Sequence, residues 1–175
     1  PSEIPPSVND LRGKEGVRVL VADDAGPGLR QAADTLVDAL GLRNARKVAE
    51  PPKDMRGAEG RDWILVGRPG AFPFLGDLGD HVELRADPVR VQGNALSDPR
   101  DLFFGVFEHP RSPDRFVALF LASTETSARS VARKIPHYGK YSYLVFRGDR
   151  NRGKGVWPVA ASPLIVQWPE ETAGA

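Results

Sequence analysis

The apolar run Val17-Arg18-Val19-Leu20-Val21-Ala22 constrains this chain more than any other segment. It is short, rich in β-branched residues and nearly continuous, as suits a strand buried on both faces of a parallel sheet. Asp23-Asp24 and the turn Gly26-Pro27-Gly28 follow it. Leu29, Ala32, Ala33, Leu36, Val37 and Leu40 then recur at helical spacing, and Gly41 supplies a C-terminal stop. A strand, a glycine turn and an amphipathic helix in that order predict the first half of a βαβ unit.

The rest of the chain extends this pattern. Ala45–Ala49 reads as a short strand and Trp63-Ile64-Leu65-Val66 as a longer one, closed by Gly67-Arg68-Pro69-Gly70. Residues 72–78 suit one or two helical turns, and Val82–Leu84 with Val89–Val91 suit a hairpin. Leu102–Phe107 and Phe116–Leu121 predict strong strands, joined by the proline-bearing turn His109-Pro110-Arg111-Ser112-Pro113-Asp114. Ser123-Thr124-Glu125 suits the cap of a helix with Ala128, Val131, Ala132 and Ile135 on one face, stopped by Pro136. Tyr143–Arg147 and Leu164–Trp168 read as the last strands. The fold expected is α/β: a layered sandwich with a mixed, largely parallel sheet and two main helices, flavodoxin-like or Rossmann-like. Residues 1–16, polar and proline-bearing, are expected as a linker, 17–168 as a single domain and 169–175 as a tail.

Bulk properties narrow the function classes only slightly. Cysteine is absent, so no disulfide, thiolate nucleophile or cysteine zinc site is available. No run reaches the roughly 18 apolar residues of a membrane span. The net charge is +1, yet charge is unevenly placed. From Arg129 to Lys154 eight Lys or Arg face one acid, Asp149, and all three tyrosines fall between 138 and 143. Two readings of this stretch compete. It is a contact surface for an anion or a partner, or its tyrosines bond backbone at a helix-to-strand junction with the cations as a solvated rim. The contact residues expected are His137, Tyr138, Lys140 and Tyr141, with the glycine-bearing loop Asn151, Arg152 and Lys154. Nucleic acid is an unlikely ligand, because the pI of about 8.6 lies below the range above 9 usual for such domains.

Asp23 and Asp24 at a strand end, with Arg68, form an alternative site for a small enzyme, because open α/β sheets bind ligands at strand C-termini. The opening through Asp24 resembles receiver domains of response regulators, but Gly67-Arg68-Pro69 stands where that family needs its phosphoacceptor aspartate. Gly26-x-Gly28-x-x-Gln31, with Glu50 downstream, only partly matches a dinucleotide fingerprint, and a structural turn is the simpler reading. Ser142 with His137 offers a conceivable nucleophile and base. His81, His109 and His137 show no ligand spacing, so no metal and no cofactor is expected.

From Trp63 to Trp168 the pattern resembles an α/β domain that follows the catalytic domain in some large bacterial secreted hydrolases, including metallopeptidases of the M1 type and prolyl-oligopeptidase-like enzymes. The resemblance is carried by Ile64–Pro69, by Phe107–Val117, and most specifically by His137–Phe146 followed by Asn151, Lys154-Gly155 and Trp157. It implies an accessory module excised from a larger chain, partnered by a catalytic domain of the same parent, and secreted or periplasmic. Neither HExxH nor a Gly-x-Ser-x-Gly elbow is present, in keeping with a non-catalytic role.

Overall fold

A computed structural model describes residues 4–75, 78, 81–158 and 168–169. The strands are β1 (Arg18–Val21), β2 (Arg46–Val48), β3 (Trp63–Gly67), β4 (Val82–Glu83), β5 (Arg90–Val91), β6 (Asn94–Ala95), β7 (Asp101–Glu108), β8 (Phe116–Ala122), β9 (Tyr143–Arg147) and β10 (Arg150–Gly155). The helices are α1 (Pro27–Ala39) and α2 (Ala128–Lys134). Seven strands form one sheet in the order β10-β9-β7-β8-β3-β1-β2. Its β2-β1-β3-β8 half is parallel, and its β8-β7-β9-β10 half antiparallel. The expected mixed α/β sandwich with two main helices is therefore the architecture found.

Strand alternation divides the core cleanly. Val19, Ile64, Val66, Phe104, Ala118, Phe120, Leu144 and Phe146 face α1 and α2. Their chain neighbours Leu20, Leu65, Phe103, Leu119 and Val145 face the opposite side, as the period of two requires. Both helices lie on one face and pack against each other. The other face is covered by turns and by a small antiparallel sheet, β4-β5-β6. The hairpin expected there gains a third strand. Gln92 and Gly93 both take positive φ (52° and 78°), the combination that a tight two-residue hairpin turn needs.

Three local expectations change. Within the segment read as a linker, Val8–Leu11 forms a 3-10 turn whose Val8 and Leu11 are fully buried. Two apolar residues three apart are too few to register as a periodicity, yet they suffice to seat one turn. The stretch Asn151–Lys154, expected as a flexible loop, belongs to β10, the outermost strand among the described residues, paired with β9 and bulged between Asn151 and Gly153. Charge misleads there, because an edge strand keeps one side in water and tolerates cations. The helix expected to be capped by Ser123-Thr124-Glu125 starts later, with Ser127 at its N-cap position. Of the strand expected at Leu164–Trp168, only Trp168 lies within the described residues.

Candidate functional site

The basic, aromatic stretch folds around a turn and a hairpin. After α2 the chain makes a 3-10 turn, Ile135–Tyr138, with Pro136 at its start. The Val8–Leu11 turn backs it. Asn9 N–H donates to the Gly139 carbonyl (2.8 Å), Val8 N–H to the Tyr141 carbonyl (3.0 Å), and the Arg12 guanidinium to the Pro136 carbonyl. A Cβ at Gly139 would overlap the Asn9 side-chain amide, which would have to move.

Tyr138 and Tyr141 sit side by side, half-buried, with ring centroids 6.3 Å apart. Tyr138 also meets Phe146 edge-on at 5.8 Å, which anchors the pair to the core. The ammonium groups of Lys140 and Lys154 lie 5.4 and 5.3 Å from the Tyr141 centroid, and Lys154 is 5.9 Å from that of Tyr138. Each such contact is worth about 0.5–1 kcal/mol on an exposed surface. Neither lysine has an acidic partner among the described residues. Four of the seven expected contact residues are thus assembled: Tyr138, Lys140, Tyr141 and Lys154.

The other three stand differently. His137 is exposed on the same turn. Asn151 is structural: its amide donates to the carbonyls of Val145 (3.2 Å) and Gly153 (3.0 Å), closing the bulge. Arg152 donates to the Pro169 carbonyl. Tyr143 leaves the surface altogether. It stacks on Trp157 at 4.7 Å, and burial pushes its phenol above the ordinary range, with Trp168 acting weakly the other way. Trp157 is further flanked by Phe107 and His81, each at 5.1 Å, and donates its indole N–H to the Val106 carbonyl (2.7 Å). Sequence reasoning missed this cluster, since its members come from four separate segments.

Ser142 cannot serve as a nucleophile. It is fully buried, and its hydroxyl accepts the Trp157 backbone N–H (3.0 Å). His109 is structural too. Its Nδ1 accepts the Arg111 N–H (3.1 Å), so its Nε2 carries the proton that goes to the Ala58 carbonyl (2.8 Å). The surrounding turn docks on residues 58–62 through Ser112, which accepts the Gly60 N–H, and through the Arg111–Glu59 and Arg115–Asp62 ion pairs.

At the strand C-termini the alternative site does not come together. Asp23 and Asp24 are exposed and line a small cavity of about 270 Å³ with Pro51, Ala71, Phe72 and Phe74, which brings no third ionisable side chain. Arg68 lines a different cavity and donates to the Ser123 carbonyl (3.4 Å). Among the described residues no three His, Asp or Glu side chains stand close enough to hold a metal ion.

The glycine turn before α1 has another purpose. Gly28 and Leu29 N–H donate to the two carboxylate oxygens of Glu125 (3.2 and 3.5 Å). A Cβ at Gly28 would lie 2.6 Å from the Glu125 Cβ, and one at Gly26 would overlap its carboxylate. Glu125, read from sequence as a cap for its own helix, instead caps the helix packed beside it. An anion is favoured at a helix N-terminus, and here the chain provides its own. The partial fingerprint is a structural turn built around that carboxylate.

Comparison with known proteins returns no match, either to a protein-family model or to a curated sequence.

Proposed function

We propose that this chain is a non-catalytic accessory or binding domain of a larger bacterial hydrolase, a peptidase by the resemblance given above. It docks through the Tyr138–Tyr141 face to the catalytic domain of its parent or to a ligand. The observation that carries the reading is the half-buried Tyr141 ring flanked by the Lys140 and Lys154 ammonium groups, with Tyr138 beside it. Tyrosine combines large contact area with few rotatable bonds, so little entropy is lost when it is covered. The two cations lack acidic partners among the described residues and are placed to meet carboxylates on an opposing surface. Two further observations support a role in contact rather than turnover: the burial of Ser142, and the separation of Arg68 from Asp23 and Asp24.

The test is association in trans. The remainder of the parent reading frame is produced separately and titrated with this chain, wild type or Tyr141→Ala/Lys154→Glu. A loss of about tenfold or more in affinity is expected for the double variant, equivalent to about 1.4 kcal/mol. A reading frame that encodes nothing beyond these residues would overturn the proposal. So would a purified chain that hydrolyses a peptide or ester unaided and loses that turnover on a single substitution.

A further inference from the structure

At the opposite end of the parallel strands from Glu125, four arginines line one open depression of about 710 Å³: Arg18, Arg46, Arg61 and Arg115. They come from segments far apart in sequence, and the sheet brings them together. In the order β2-β1-β3-β8, each of four adjacent parallel strands starts with one of them or within two residues after it. Arg46 opens β2 and Arg18 opens β1, and the two are direct register partners. Arg61 lies two residues before Trp63 at the head of β3. Arg115 immediately precedes β8, and since Trp63 pairs with Val117, the same register sets 61 opposite 115. With neighbouring strands roughly 4.8 Å apart, the four origins span about 14 Å.

The charge balance of this row is one-sided. Arg115 is held by Asp62, 3.1 Å away and almost fully buried, and Lys14 lies 3.9 Å from the same carboxylate. Glu15 lines the depression, where its carboxylate accepts the Asn44 amide (3.2 Å). The guanidinium groups of Arg18, Arg46 and Arg61 have neither a hydrogen bond nor an ion pair with any described residue. Against the five cations Arg18, Arg46, Arg61, Arg115 and Lys14 stand two acids, Glu15 and Asp62, in a chain that nets only +1. Parallel strands hold these like charges side by side, which is mildly unfavourable unless something neutralises them.

We infer that this depression binds a compact oligophosphate, the row Arg46-Arg18-Arg61 supplying guanidinium forks to successive phosphoryl groups and Asp62 fixing Arg115 at its end. Arginine suits this ligand because its planar fork meets phosphate oxygens in pairs and stays charged at every physiological pH. The length of the row favours several linked phosphates over a single one. The shared chemistry is the phosphate chain, whether free or carried by a nucleoside. This inference goes beyond the docking role and stands apart from it, since Lys140, Lys154 and the tyrosines take no part in it.

Calorimetric titration at low salt tests it with three probes: inorganic tripolyphosphate, ATP and orthophosphate. Tripolyphosphate is expected to bind at least about tenfold more tightly than orthophosphate, and to weaken as salt rises. ATP matching tripolyphosphate assigns recognition to the phosphate chain alone; ATP binding more tightly assigns a contribution to the nucleoside. Arg18→Gln/Arg46→Gln is expected to lose at least about tenfold, and Arg18→Lys/Arg46→Lys to recover only part of it, because charge returns without the fork. Arg61→Gln, outside the strands and exposed, carries the same test should the strand variants fail to fold. Lys140→Gln/Lys154→Gln is expected to leave binding unchanged. No binding of tripolyphosphate or ATP, or binding that is lost in the lysine variant and kept in the arginine variants, overturns the inference.

Discussion

The two ends of the parallel strands are built on opposite plans. At the C-terminal ends, where open α/β sheets ordinarily take ligands, Asp23 and Asp24 stand exposed, but several other charges are answered from within the chain. Glu125 caps α1, Arg68 reaches the Ser123 carbonyl, and Arg147 reaches Asp101 (3.0 Å) and Asp98 (3.5 Å). At the N-terminal ends Arg18, Arg46 and Arg61 stand in a row with no described partner. The useful question is which end leaves its charges unanswered.

Several measurements can break or sharpen that contrast. The largest effect is expected at Gly28. A methyl group there meets the Glu125 Cβ at 2.6 Å, and such overpacking costs about 2–3 kcal/mol. In a Glu125→Gly background the same Gly28→Ala change is expected to cost nothing, since alanine is the better helix former. Equal costs in both backgrounds, measured by urea denaturation, would show that Glu125 does not close this end.

Glu125→Ala alone is expected to cost about 1 kcal/mol, the worth of a charged cap at a helix N-terminus. Adding Gly26→Ala to it is expected to cost little more, because the carboxylate that fills that space has gone. Additive losses would place the role of Gly26 elsewhere.

A smaller effect concerns acid stability. Arg100 bonds Asp98 and holds its carboxyl down to about 2, against an ordinary 3.8, with Arg147 contributing. A carboxylate whose folded-state pKa is depressed contributes stability that is complete above the ordinary value and lost as pH falls through the folded one. The Asp98 contribution is therefore expected to be intact above about pH 4 and to vanish toward pH 2. It is modest, because solvent reaches the pair. Asp98→Asn is expected to flatten the stability profile in that window, and an unchanged slope would remove this pair from the account.

The smallest shift is expected at the other end. Arg46→Gln removes one of several like charges and no described contact, so stability is expected to hold or rise by no more than about 0.5 kcal/mol at low salt. A clear loss in thermal denaturation would mean that the row is held by partners of its own, and the contrast between the two ends would fall.

The legibility of this protein in its sequence follows the range of each interaction. The strand–turn–helix opening, the strands over Leu102–Leu121 and the face of Ala128, Val131, Ala132 and Ile135 were readable because period and hydrophobicity are local. The face of Tyr138, Lys140, Tyr141 and Lys154 was readable for the same reason, its members lying within one short stretch. Gly26 and Gly28 were visible as glycines, but their reason, Glu125, lies about a hundred residues on. Val8 and Leu11 give no local signal, because their burial depends on the Tyr138–Tyr141 turn they meet.

Periodicity and turn chemistry alone determined the fold class and most strands, because a strand or helix in this chain needs only its own residues to show which face is apolar. The assembled charge was decided by tertiary structure. Arg18, Arg46, Arg61 and Arg115 are unremarkable one by one in a nearly neutral chain. They become a row only when parallel pairing sets four strand starts side by side, because pairing register, which no local pattern encodes, fixes the distance between charges.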